Sequence, residues 1–373
     1  MAESQLEIRD GSVIALRLFD VAFAIDLPRV EALWSQRNGP ASSRSKLNAT
    51  PAKAVAFDVP PVNLVLDPVD LRIERQEKSA QITARVYDFG VIAIALKIPI
   101  NGRDWAGFTQ FVNAVDEAIG PLADTDLWNV LLAKLHALIA PALVRPTQSN
   151  LQEDYLIAVV NQWNEPISAA ALEQRVDLAA VLSGERKPLS EGMQRDLLRQ
   201  RFSYYPDDLV VLNWDRAFIY EPRGDSDVED ALEVANAQLL EMRYYDELLD
   251  DELPRMYDLV EATRRTPYLL APQRFAALAR RLHTLVAEVT ELTEKVDNAL
   301  QVAEDVYLAR VYAAALETLR VPKLNAAVDR KLAIIRDTYT ALYDEASATR
   351  AELLEITIIG LIVLEIVLAL VHH

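Results

Sequence analysis

The sequence predicts an α+β N-terminal domain followed by long coiled-coil helices and a C-terminal transmembrane helix. Short apolar runs broken by proline and glycine fill the first part of the chain. Four-three spacing of apolar residues follows Pro222, and a nearly uncharged apolar segment comes last. The chain has 373 residues, of which 51% are hydrophobic, so it can bury a large core. We divide it into a head domain over residues 1–222, a coiled-coil stalk over 223–352 and a transmembrane anchor over 353–371.

The head is predicted to begin with strands. Residues 12–27 form a dense run of Val, Ile, Leu and Phe, which is typical of one or two buried strands. Residues 35–53 gather Asn, Gly, Pro and Ser, and this composition predicts a flexible loop. A second apolar region spans residues 81–98, and we interpret Tyr87–Gly90 at its centre as a turn between two strands.

Helical spacing enters the head at residues 104–144, where apolar residues recur every three or four positions. Residues 155–160 are predicted to return to a strand, and residues 169–182 to a helix. Leu209–Trp214 and Ala217–Tyr220 then have the composition of two paired strands. The head therefore mixes strands and helices, in a strand order that the spacing does not determine.

The stalk is predicted to contain three long helices. Each repeats apolar residues in alternating steps of four and three, the spacing typical of a coiled coil. In the third helix the seam residues are Val328, Leu332, Ile335, Tyr339, Leu342, Ala346, Thr349, Leu353 and Ile356. A short break at Arg320–Lys323 predicts that the last two helices fold back as an antiparallel hairpin.

The last segment, Leu353–Val371, contains fourteen Leu, Ile and Val residues and two charged side chains, Glu355 and Glu365. Its length is at the lower end for spanning a bilayer, but the summed transfer free energy favours insertion. Basic residues precede it and none follows, which predicts a single-pass C-terminal anchor with the soluble part in the cytoplasm. The alternative is a buried core helix in a soluble oligomer.

Glu365 lies ten residues beyond Glu355, which is about 15 Å deeper along a helix. Because an acid within a membrane needs a partner or a shared proton, we expect Glu365 to face another copy of the helix or a different membrane protein. The alternative is that Glu365 snorkels, or is protonated against lipid headgroups.

A polar cluster on the first stalk helix contains Glu241, Arg243, Tyr244, Tyr245 and Asp246. Asp246 occupies a seam position, where an apolar residue is expected. We interpret it as a residue that pairs with Arg or Tyr donors and sets the helix register. The alternative is a ligand or partner site.

The sequence carries no recognisable catalytic chemistry. It has no cysteine, which excludes disulfides, thiolate metal sites and cysteine nucleophiles. Its ten glycines form no nucleotide-binding loop, and its four histidines have no metal-site spacing. The net charge of −18 disfavours nucleic acid as a partner, because Lys and Arg supply the affinity for phosphates. We therefore predict no enzyme activity, no cofactor and no metal.

Four stretches carry a family resemblance, namely Tyr87–Ile92, Asp207–Trp214, Leu239–Asp246 and the tail Leu353–Ile366. Through them the chain resembles the YagE-like family, whose eukaryotic members are called required for meiotic nuclear division proteins. The resemblance implies membrane attachment through the C-terminal segment and self-association. It also implies a scaffold, since mitochondrial relatives are associated with the inner membrane and support organellar translation. No catalytic residue is established for that family, so none is carried over.

We therefore expect a membrane-anchored scaffold that associates with itself through the coiled coil and the tail helix. It is expected to support translation or membrane-associated assembly, and the extension to translation is an analogy. The alternative function is a membrane-tethered enzyme or small-molecule sensor that acts through the α+β head. In that case the stalk only positions the head.

Overall fold

The computed structural model divides the chain into two compact units. The first comprises Met1–Tyr244 with Lys295–Pro322, and the second comprises Tyr245–Glu294 with Lys323–His373. The residues that the structure describes are 6–38, 42–44, 55–57, 59–147, 150–185, 187–264, 271–297, 300–302 and 306–371.

All strands among the described residues belong to the first unit. Their bounds are β1 Glu7–Asp20, β2 Ala22–Ile25, β3 Ser42–Arg44, β4 Val55–Phe57, β5 Val62–Ile73, β6 Gln76–Val86, β7 Val91–Ile100, β8 Arg103–Asp104, β9 Leu143–Pro146, β10 Gln152–Trp163, β11 Gln200–Phe202, β12 Leu209–Leu212, β13 Arg216–Tyr220 and β14 Leu300–Val302. Ten of them form one mixed sheet in the order β11, β12, β13, β10, β1, β7, β6, β5, β3, with β8 beside β1. β14 pairs with β4, and β2 pairs with β9.

The helices are shorter in the first part of the chain than in the last. Their bounds are α1 Leu27–Asn38, α2 Trp105–Ile119, α3 Leu127–Ile139, α4 Ala169–Arg175, α5 Leu178–Ser183, α6 Glu191–Leu197, α7 Asp227–Arg264, α8 Ala271–Asp297, α9 Val306–Thr318 and α10 Val321–Val371. The three long helices predicted for the stalk correspond to α7, α8 and α10.

β1 lies at the centre of the sheet and is buried along nearly its whole length. It pairs antiparallel with β7 on one side and with β10 on the other. Val13, Ala15 and Phe19 belong to the main core, which α2 and α3 also line. The alternate residues Leu16 and Leu18 point to the opposite face and are buried as well. A strand that is buried on both faces consists of a continuous run of apolar residues. For this reason the sequence of residues 12–27 predicted buried strands.

Two predicted strand pairs are confirmed. β6 ends at Val86 and β7 begins at Val91, so the turn is at Tyr87–Gly90. Gly90 has a φ of +101°, and a Cβ there would collide with the carbonyl oxygen of Ala22. β12 and β13 form the second predicted pair, which is antiparallel.

The predicted loop over residues 35–53 is only partly described. Residues 35–38 belong to α1 and residues 42–44 form β3, and the rest of the loop lies outside the described residues. The predicted hairpin of the last two stalk helices is wrong. The short break separates α9 from α10, because β14 and α9 intervene after α8. Arg320 has a left-handed backbone, with φ +60°, and this conformation ends α9.

The predicted transmembrane helix over residues 353–371 is also wrong. Within the described residues, no helix is at once long enough and apolar enough to cross a membrane. The segment is the last part of the 51-residue helix α10, and its apolar run is interrupted by Glu355 and Glu365. The expectations of a single-pass C-terminal anchor and of a membrane localisation, which rest on this helix, are wrong with it.

The second unit consists of helical segments from α7, α8 and α10. Lys331 Nζ lies 2.6 Å from Asp246 Oδ1 and 2.6 Å from Asp250 Oδ1, which joins α10 to α7. His283 on α8 contacts Tyr339 on α10, with ring centroids 5.4 Å apart. The apolar seam of α10 is buried at four positions in this part of the helix, namely Val328, Leu332, Ile335 and Leu342.

Candidate functional site

Polar side chains join the first part of α7 to the sheet. Arg85 on β6 points away from the main core, because its two strand neighbours belong to that core. Its guanidinium lies 2.5 Å from Asp230 Oδ1 and 3.3 Å from Glu233 Oε2. The hydroxyl of Tyr87 donates to Glu233 Oε1 at 2.7 Å. We refer to Arg85, Tyr87, Asp230 and Glu233 as the clamp.

The charges of the clamp are buried and compensate each other. Burial raises the pKa of Asp230 and of Glu233, and the charge of Arg85 opposes that rise. The pKa of Tyr87 is held well above its usual value by burial and by the nearby Glu233, so the phenol stays protonated and donates. One arginine thus neutralises much of two carboxylates in a site with little water.

Glu229 lies next to the clamp on α7. Burial raises its pKa to about 7, against the opposing charge of Lys97. The first turn of α7 contains Asp227, Glu229 and Asp230, and the helix dipole favours acids at this end. The helix start therefore concentrates negative charge at the point where it meets the sheet.

The clamp was not predicted from the sequence. The acids at the start of α7 were visible, but Arg85 and Glu233 are 148 positions apart. One indication of the clamp was available from the sequence, because Arg85 lies within the apolar region at residues 81–98. A charged residue within a buried strand requires a partner of opposite charge.

The structure separates the predicted polar cluster between the two units. Arg243 forms an ion pair with Glu153 of β10, so it fastens α7 to the sheet in the first unit. Burial raises the pKa of Tyr244 to about 12, and Asp20 and Glu241 contribute to that rise. Both residues act within the first unit.

Tyr245 and Asp246 belong to the second unit. Tyr245 is buried, and Asp246 accepts a hydrogen bond from Lys331 Nζ at 2.6 Å. Asp246 therefore has a cationic partner, which is a lysine and not the predicted Arg or Tyr. Its place on the seam is explained by this pair, because Lys331 fixes the position of α10 against α7.

The remaining predicted site residues, Glu355 and Glu365, are exposed on α10. The apolar side chains around them are exposed as well. Twelve large aliphatic residues between positions 354 and 370 have at least half of their surface in water. The structure thus shows an apolar helix surface that no described residue covers.

The seam of α10 changes from buried to exposed along the helix. Continuing the four-three steps from Ile356 leads to Gly360, Val363, Val367 and Leu370. The exposed fractions are 59% for Ile356, 54% for Val363, 50% for Val367 and 73% for Leu370. A Cβ added at Gly360 would meet nothing within 4 Å. We refer to these five residues as the open seam.

The described residues include no group of three or more His, Asp or Glu side chains arranged to hold a metal ion. The structure has two features of chemical interest. One is the buried ionic clamp inside the first unit, and the other is the uncovered apolar surface of α10 in the second.

Comparison with known proteins gives one family and one relative. Residues 10–227 match the family model described as the N-terminal domain of the uncharacterized protein MJ0711. The uncharacterized protein MJ0711 of Methanocaldococcus jannaschii is 26% identical over 219 residues, which is 58% of this chain. The match spans 66% of that relative's length, slightly less than two thirds. No solved structure matches the chain. These matches do not carry the YagE-like name.

Proposed function

The chain belongs to the family of the MJ0711 N-terminal domain, and from this premise we propose that it is a self-associating scaffold. The open seam of α10 binds the same seam of a second copy, and association brings two or more family domains together. The observation that carries the proposal is the change of one continuous seam from buried to exposed along a single helix.

Continuity supports a second copy as the occupant. The first half of the seam is already covered by helices of the same chain, so its side chains suit helix packing. The open seam continues the same spacing, and it includes Gly360, which allows two backbones to approach closely. The α10 helix of a second copy carries the same four-three spacing, so the two seams can pack against each other. No other protein has to be assumed.

The apolar surface around the open seam is larger than monomers usually expose. The twelve aliphatic side chains lie on all sides of α10 and expose on the order of 1,000 Å², more than the few hundred Å² typical of the apolar patches on monomers. A surface of this size favours a partner that covers the side on which the open seam lies.

The two glutamates lie away from the open seam. At about 100° per residue, Glu365 is on the side of α10 opposite Ile356, and Glu355 is about 100° around from it. Both carboxylates can stay in water while the seam is covered. This differs from the expectation that Glu365 itself faces the second copy.

The YagE-like resemblance supports the same proposal. Two of its four stretches, residues 239–246 and 353–366, lie beyond the matched range, and it implies self-association. The process that the scaffold serves is proposed by analogy to be translation.

The proposal is tested by the oligomeric state of the full chain. We expect sedimentation equilibrium to show a dimer or larger species for the natural sequence. Val363→Asp, on the open seam, should weaken association about ten-fold or more, because it places a carboxylate in the apolar contact. Leu361→Asp is the matched control, because it also introduces a carboxylate, but about 160° around the helix from Val363. A monomeric natural chain, or equal effects of the two substitutions, would refute the proposal.

A further inference from the structure

An open groove of about 470 Å³ lies beside the short helix α6 in the first unit. Its polar lining consists of Glu191, Gln194, Arg195, Arg199 and Arg201. None of these residues belongs to the clamp or to the open seam. The volume lies in the range of small-molecule sites, which is about 300–1,000 Å³. We call this space the α6 groove.

The α6 groove has the opposite charge to the chain as a whole. The sequence has 56 acidic and 38 basic residues, whereas three arginines and one acid line the groove. All three arginines are exposed, so a ligand can reach them from water. Such a local concentration of arginine attracts a small anion. The net charge of −18 still opposes a long polyanion such as nucleic acid.

The three arginines keep most of their hydrogen-bond donors for a ligand. Within the part of the chain that the structure describes, Arg195 and Arg199 form no ion pair with an acid. Nε of Arg195 donates to the backbone oxygen of Glu191 at 3.2 Å, which uses one of the five N–H donors of the guanidinium. Arg201 lies 3.7 Å from Glu173, in a pair that is 58% and 32% exposed. An exposed pair at this distance contributes little to stability, so Arg201 can turn to a ligand at small cost.

A smaller cavity of about 240 Å³ adjoins the α6 groove. Gln194, Leu198 and Arg201 line both spaces, so a molecule held by the arginines can extend into the cavity. Val176 and Leu198 are half-buried and offer it an apolar surface that is partly accessible. The two acids of the cavity already have partners, since Glu173 lies beside Arg201 and the other acid caps α5. The cavity therefore suits a small uncharged group that is attached to an anion.

The number and the type of the cations select the anion. A carboxylate has two oxygens and one negative charge, and a single arginine can bind both oxygens. A phosphate monoester has three free oxygens and a charge of about −1.5 to −2 at neutral pH, so it can accept from several arginines at once. Arginine also suits phosphate geometry better than lysine does, because its planar guanidinium donates two parallel hydrogen bonds.

We propose that the α6 groove binds a small molecule through a phosphate group. Arg195, Arg199 and Arg201 donate to the phosphate oxygens, and the rest of the molecule lies against Val176 and Leu198. The phosphate group belongs to free phosphate or to a phosphate ester, and the adjoining cavity favours the ester. This site gives the alternative function, a small-molecule sensor in the head, a definite place in the fold.

The probes for the test are phenyl phosphate, inorganic phosphate and benzoate. Calorimetry on the full chain, at about 0.15 M salt so that distant charges are screened, should detect phenyl phosphate and show at least ten-fold weaker binding of benzoate. Arg199→Gln and Arg201→Gln should each weaken phenyl phosphate binding about ten-fold, because each removes a charge-assisted contact. If inorganic phosphate binds as tightly as the ester, the site is supported and free phosphate is its ligand.

Arg37→Gln is the matched control, since Arg37 is an exposed arginine on α1 that does not line the groove or the cavity. It makes the same change of net charge, so the variant should bind phenyl phosphate as the natural chain does. Circular dichroism checks that each variant is folded, which we expect because the substituted arginines are exposed. The proposal would be overturned if neither phosphate bound, if benzoate bound as tightly as phenyl phosphate, or if Arg37→Gln lost as much affinity as the groove variants.

Discussion

Glu229 shows at the scale of one residue how burial changes the chemistry of a side chain. Its pKa is raised to about 7 from an ordinary value of 4.5, because the charged form is poorly solvated at the contact of α7 with the sheet. Near neutral pH it is therefore divided between its protonated and charged forms. An ordinary glutamate would be fully charged there.

The raised pKa of Glu229 predicts a pH dependence of stability. Between pH 4.5 and about 7 the folded state holds this proton and the unfolded state has lost it. The free energy of unfolding therefore falls as the pH rises through this range, and the contribution of Glu229 is about 3 kcal/mol. Glu229→Gln has no carboxyl proton to lose, so the variant should not lose this part of the free energy of unfolding as the pH rises. Urea unfolding at pH 5 and pH 8 should show the variant gaining stability relative to the natural chain at the higher pH.

Glu117→Gln on the exposed surface of α2 is the control for this measurement. It makes the same chemical change at a solvent-exposed carboxylate, so it reports the effect of removing one negative charge alone. If Glu229→Gln behaves in the same way as Glu117→Gln, then Glu229 does not titrate in this range.

At the scale of elements, the contact of α7 with the sheet depends on one arginine for two acids. Arg85 has 18% of its side chain exposed, and Asp230 and Glu233 have 7% each. Removing one member of such a buried group leaves a charge without compensation, which costs more than the intact group contributes. The clamp therefore specifies where α7 docks more than it adds to stability.

Arg85→Met is predicted to destabilise the chain by about 3–5 kcal/mol, because Asp230 and Glu233 lose their counter-charge. The triple variant Arg85→Met with Asp230→Asn and Glu233→Gln should recover a large part of this loss. Urea unfolding of the two variants and the natural chain provides the comparison. A triple variant as unstable as Arg85→Met would mean that the loss comes from packing and not from charge.

At the scale of the whole molecule, the proposed association rests on apolar contact along α10. Glu365 lies on the side of the helix opposite Ile356, and Gly360 leaves space on the seam itself. Burial of aliphatic side chains is only weakly affected by salt, in contrast to ion pairs. Association of the full chain should therefore persist at high ionic strength.

Glu365→Leu is predicted to leave association through the seam at least as strong as in the natural chain. The substitution removes a charge from the side of the helix that stays in water. Sedimentation equilibrium of the full chain measures the effect, and Val363→Leu, which keeps the seam apolar, serves as the control. Loss of association in Glu365→Leu alone would show that the glutamate is itself part of the contact.

Local patterns predicted the elements of the fold. The dense apolar run at residues 12–27, the turn at Tyr87–Gly90 and the three long helices are all present in the structure. These elements could be predicted because each has a local sequence pattern. A strand buried on both faces gives a run of apolar residues, a left-handed turn favours glycine, and a long helix gives apolar residues at helical spacing. The transmembrane prediction failed, since it rested on hydropathy summed over residues 353–371 alone.

The sequence by itself determined the positions of the central strands of the sheet and of the long helices, the absence of cysteine chemistry and the continuous seam of α10. Only the tertiary structure decided which distant groups meet, such as Arg85 with Glu233 and Asp246 with Lys331. The physical reason is that hydrophobic periodicity is a local property of the chain. Compensation of a buried charge depends instead on which surfaces fold against each other, and this is not encoded at any fixed spacing.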